Sequence, residues 1–249
     1  SRRIDRSIFA FTTGRGNGLY ADYGKASQVA EALRGFVYRG QYSKVRRRSH
    51  GSSGARVPFE KFIASVETAL DIGKRPRGDR LGKLLQTGQE KILAGLVLLG
   101  PQIPLVFQGD EYAESRPFLY FSDFADEETA RREGQAAAAL AARFGLTGET
   151  PDPQAPETYT RCKLDGSAPE KHGHIQILRV YKRLIELRKE LRLAGCKPEE
   201  FEAVFFDSLT CLFMLYHLGE GEIFMPFNLG TSEFVLVEEL PPGEWECIF

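Results

Sequence analysis

The stretch TGQEKILAGLVLLGPQIPLVF, residues 87–107, decides the fold class. It opens on Thr87-Gly88-Gln89-Glu90, a T-x-x-E spacing whose hydroxyl and carboxylate can satisfy the first free N–H groups of a helix. Lys91 to Leu99 is apolar on most sides, which predicts a buried helix. Gly100 and Pro101 stop it in the order that suits a helix C-terminus. Ile103 to Phe107 then forms a short apolar run without alternation, the pattern of a strand covered on both faces. Upstream, Phe62 to Val66 reads as another strand. Strand, helix and strand in this order build parallel sheets, so the chain reads as α/β.

Outward from this unit, REGQAAAALAARF predicts a helix over Glu127 to Phe144, and the prolines at 151, 153 and 156 mark a loop after it. From Ile175 to Leu193, the residues Ile177, Leu178, Tyr181, Leu184, Ile185 and Leu191 recur at helical spacing. After Gly195 the texture changes to AVFFD, TCLFMLYHL, EIFMPFNL, EFVLVEEL and EWECIF, separated by GEG, GTS and PPG turns. The expected organisation is therefore 1–194 as the α/β part and 195–249 as a small antiparallel β module. That module is too small to bury a core alone, so it should pack on the helices.

The 249 residues, 42% hydrophobic and 27% charged, describe an ordinary globular protein. With 33 basic against 34 acidic residues, the net charge of −1 gives no field to draw nucleic acid or an acidic membrane. The apolar run Ile92 to Leu99 is too short to span a bilayer, and no secretory signal is read at the start. Cys162, Cys196, Cys211 and Cys247 stand apart, so reduced thiols, a cytoplasmic location and no metal are expected. His172 and His174 fall in the turn-like GSAPEKHGH and are expected to face solvent.

Several blocks together resemble the C-terminal half of an alpha-amylase-family glycoside hydrolase, and within it the malto-oligosyltrehalose trehalohydrolases. They are GLYADYG (18–24), ALRGFVYRGQYSKVRRRSHG (32–51), RGDRL (77–81), IPLVFQGDEYAESRPFLYFSDF (103–124) and ETPDPQAPETYTRCKLD (149–165). The resemblance implies a partial (β/α)8 barrel, about the last three strand–helix units, followed by a β-sandwich-like domain. The implied family reaction is retaining hydrolysis of the α-1,4 bond that joins trehalose to a malto-oligosaccharide. It needs a nucleophilic carboxylate and a protonated acid about 5 Å apart. Both lie on strands that the match places before this chain's first residues. No cofactor is implied.

FEKFIASVETALDIGKRPRGDRL (59–81) lines up without a gap on the family's seventh-strand segment. The family's Asn-His-Asp positions are Thr68, Ala69 and Leu70 here, so no catalytic residue is expected among them. Asp71 sits one residue further on and would need a changed loop to serve. By the same resemblance Asp110, Glu111 and Tyr112, with Gln41 and Tyr42, are substrate-binding candidates at the strand ends. Loop fixing is the competing reading for the acidic pair. Phe118, Tyr120 and Phe121 would either stack on sugar rings or pack beneath the loop. Arg46, Arg47 and Arg48 read as a solvated loop. The expectation is a degenerate homologue, inactive by itself. A malto-oligosaccharide is its candidate ligand, and a protein partner or self-association would cover the open barrel edges.

Overall fold

A computed structural model describes residues 4–16, 18–35, 40, 42–51, 57–75, 77–143, 151–219, 221–233, 240 and 242–249. Its first elements are helices α1 (Ile4–Thr13) and α2 (Ser27–Leu33), and a hairpin of β1 (Tyr42–Ser43) and β2 (Arg48–Ser49). Strand β3 (Ile63–Ser65) leads through α3 (Ala69–Ile72), α4 (Leu81–Leu84) and α5 (Thr87–Leu98) to β4 (Ile103–Leu105). Then come α6 (Glu127–Arg143), α7 (Pro156–Arg161) and α8 (His172–Glu190), and finally β5 (Phe201–Phe206), β6 (Cys211–Leu218) and β7 (Gly221–Asn228).

The expected strand–helix–strand unit is present. β3 and β4 pair in parallel, with Ile63 opposite Ile103 and Ser65 opposite Leu105. Two expectations change. The capping box sits one residue early, because Gln86 is still extended while Thr87 is already helical: the Gln86 N–H donates to Gln89 Oε1 at 3.0 Å. Glu90 is thereby freed from capping and buried. And β4 is open on one side, with Ile103 48% and Leu105 40% exposed. Among the described residues no third strand joins this sheet.

α5 packs on α8, whose Ile177, Tyr181, Leu184 and Leu187 form the buried stripe that the spacing predicts. Ile185 is exposed instead. α8 begins earlier than expected, so His172 and His174 lie in its first turn rather than in a loop, and His174 Nδ1 is 2.7 Å from the Tyr112 carbonyl oxygen. Arg188 reaches back to the end of α5. Its guanidinium donates to the carbonyls of Leu98 (2.9 Å), Gly100 (2.5 Å) and Gln102 (2.8 Å), satisfying acceptors that a helix end leaves free.

The C-terminal strands form one antiparallel sheet in the order β5-β6-β7. It packs on the helices as expected. The Tyr216 hydroxyl donates to the Leu99 carbonyl at 2.6 Å, and Phe227 lies so near α5 that a Cβ on Gly95 would stand 2.9 Å from its ring. One hydrophobic core runs from α1 through α5 and α8 into β5 and β6. Residues 234–239 of the expected strand EFVLVEEL lie outside the described residues, and 244–249 are irregular and exposed rather than a strand. No described helix is long and apolar enough to cross a membrane.

Candidate functional site

The family's Asn-His-Asp positions fall at the end of β3 and the start of α3. Val66 and Glu67 are buried, and Thr68 is extended (φ −135°, ψ 150°) as the cap of α3. Its hydroxyl accepts from the Asp71 N–H at 3.3 Å and donates to Asp71 Oδ2 at 3.2 Å. Thr68 is therefore occupied locally. Ala69 offers no polar group. Leu70 projects outward, 51% exposed.

Asp71 turns inward and is buried, paired with Arg6 Nη2 of α1 at 3.0 Å. Burial opposes its charge, but a hydrogen bond with Asp5 and the Arg6 cation outweigh burial and hold its pKa below the usual carboxylate value. Asp5 goes the other way. Burial and then the Asp71 charge push it well up, and its Oδ2 finds no donor.

Glu67 is likewise structural. It accepts from Arg75 Nη1 at 2.5 Å and from the Leu81 N–H at 2.8 Å, tying the strand end to α4. Burial raises its pKa despite Arg75. Arg75 also reaches the Tyr20 hydroxyl at 3.4 Å and the Asp79 carbonyl at 2.5 Å, and stacks 3.8 Å over Phe9. Gly78 of the RGDRL block has φ +58°, and a Cβ there would meet the Phe118 carbonyl oxygen at 2.6 Å. Only glycine fits that approach.

In the loop after β4, Asp110 is buried, accepts from the Phe107 N–H at 3.2 Å, and is pushed well above its ordinary pKa by burial and then by Glu67. Glu111 accepts from the Gly109 N–H at 2.8 Å, and the Tyr112 hydroxyl donates to Glu114 at 3.5 Å. Each polar group here has a partner inside the loop. Glu114, which the sequence did not single out, is buried and accepts from the Arg116 and Asp165 N–H groups at 2.9 and 2.7 Å. Tyr42 is 63% exposed on the hairpin, and Gln41 lies outside the described residues. Arg46, Arg47 and Arg48 are exposed in the hairpin turn and β2.

A cleft of about 290 Å³ opens beside Leu70, between α3, residues 118–120 and α6. Of its described lining residues only Glu133 carries a carboxylate, and that group accepts from the Tyr120 hydroxyl at 2.7 Å. No two acids therefore face each other across it. Tyr120 is exposed, while half-buried Phe118 and exposed Phe121 belong to a run of ring contacts from Phe107 to Tyr159. Among the described residues no group of His, Cys, Asp and Glu is placed to hold a metal.

No family model matches the chain. Malto-oligosyltrehalose trehalohydrolase of Saccharolobus solfataricus is 37% identical over 191 residues, covering 76% of this chain and 32% of that protein. The enzyme of the same name from Arthrobacter ramosus is 34% identical over 234 residues, covering 91% and 41%. The chain is a relative of the malto-oligosyltrehalose trehalohydrolases. It spans well under half the length of these trehalohydrolases and matches their C-terminal part. A crystal structure from Salmonella typhimurium, described as an alpha amylase, superposes with a TM-score of 0.83 at 28% identity, over 96% of this chain and 41% of that one. The fold is thus alpha-amylase-like where the two overlap. The resemblance puts Asn, His and Asp at the positions of Thr68, Ala69 and Leu70.

Proposed function

We propose that this chain is a degenerate trehalohydrolase homologue that does not hydrolyse maltooligosyl trehalose by itself. The observation that carries the reading is the state of Asp71. It is one of the two acids flanking the altered motif, and it is buried against Arg6, as Glu67 is against Arg75, while Leu70 takes the outward position. A leucine accepts no hydrogen bond from a sugar, and losing such bonds in a desolvated site removes orders of magnitude in rate. Asp110 and Glu111 are engaged within their loop and are not among the described residues lining the cleft beside Leu70.

The test is incubation of the purified chain with maltotriosyl-trehalose, with trehalose release followed by chromatography. No release is expected. Turnover that disappears in Glu111→Gln would overturn the reading.

A second reading is favoured by the open side of β4. Ile103, Leu105 and Val106 are exposed beside a strand edge that no described strand pairs, a surface suited to strands from another polypeptide that completes the sheet. The free cysteines, three of them buried, support a reducing compartment.

A further inference from the structure

We propose that the cleft beside Leu70 binds a small, uncharged, aromatic molecule. Its walls are mostly carbon: Ala69 and Leu70 come from α3 and Gly73 from its end, Phe118 and Tyr120 from the facing segment, and Ala137 from the small-residue side of α6, while Lys74, Arg75 and Glu133 also line it. Two of the polar lining groups are already engaged: the Tyr120 hydroxyl donates to Glu133, and the Arg75 guanidinium donates to Glu67 and to the Asp79 carbonyl.

Chemistry then selects the occupant. A pyranose would give up water at several hydroxyls and meet a mostly apolar lining with few replacement partners, which disfavours it. An aromatic ring gives up little water, buries the exposed face of Leu70, and meets the rings of Phe118 and Tyr120 at distances aromatic pairs favour. Size selects as well. At about 290 Å³ the cleft lies at the small end of ligand sites, enough for one or two fused rings and too little for a helix or strand. The inference goes beyond the proposed loss of hydrolysis, and trehalose release tests that loss separately.

The probe is N-phenyl-1-naphthylamine, a neutral dye whose emission rises in apolar surroundings. The full chain should bind it saturably, and millimolar maltotriose should not displace it. Leu70→Asp, which places a charge in the wall, should weaken binding about tenfold or more. Ala137→Phe, which fills the space from α6 without adding charge, should do the same. Ile103→Ser, on the open side of β4, should leave the constant unchanged. Circular dichroism of each variant confirms folding. Absence of saturable binding would overturn the proposal. So would equal binding by Leu70→Asp and Ala137→Phe, loss of binding in Ile103→Ser, or displacement by maltotriose.

Discussion

At the scale of single residues, the carboxyl groups around the strand ends owe their states to burial. Glu90 is the clearest. It sits on α5 with Oε1 unpartnered, and burial, then the charge of Glu67, raises its pKa from 4.5 to about 8. A folded-state pKa above the unfolded one means a stability contribution that is whole at acid pH. It is lost as pH rises from the unfolded value through about 8, at up to roughly 1.4 kcal/mol per pH unit. Glu90→Gln should remove this slope. Urea midpoints between about pH 5 and 9 should converge with wild type at the acid end and exceed it at the alkaline end. Thr68, Ala69 and Leu70 stand out because the surrounding strand and RGDRL keep the family's spacing, and the end of β3 was legible from the apolar run before them. The Arg6–Asp71 pair was not, since the partners are 65 residues apart and periodicity says nothing about such contacts. Glu114 gave no signal for the same reason: its partner Asp165 lies 51 residues on.

At the scale of elements, periodicity located α5, α8 and the first three C-terminal strands well, and their edges less well. The capping box moved to Gln86 because backbone conformation, not residue preference, decides which residue is the cap. The apolar run of β4 predicted cover on both faces, yet such a run records what a strand can bury, not what is there to bury it. α5 depends on α8 through Arg188, whose three carbonyl acceptors lie 86 to 90 residues away in sequence. Arg188→Met should leave those acceptors unpaired and lower stability by about 2–4 kcal/mol in chemical denaturation. Arg188→Lys should recover only part of this, because an ammonium lacks the planar fork that spans all three.

At the scale of the whole molecule, one core joins the α/β part to the C-terminal sheet, so the chain should unfold as a unit. Its open side is the apolar strip of Ile63, Ile103, Leu105 and Val106. Leu105→Lys should reduce concentration-dependent association in sedimentation velocity while leaving the thermal midpoint within a few degrees. Equal behaviour of the two proteins would remove that strip from any account of partners. The central claim is narrower: Asp71, in the short helix after β3, holds the fold together and does not meet sugar. It is tested most directly by following the carboxyl carbons of Asp5 and Asp71 by NMR during pH titration, with and without maltotriosyl-trehalose. The account predicts Asp71 titrating below the usual carboxylate value and Asp5 above it, both indifferent to the oligosaccharide. A shift of Asp71 on adding oligosaccharide, with trehalose accumulating in the same tube, would contradict it.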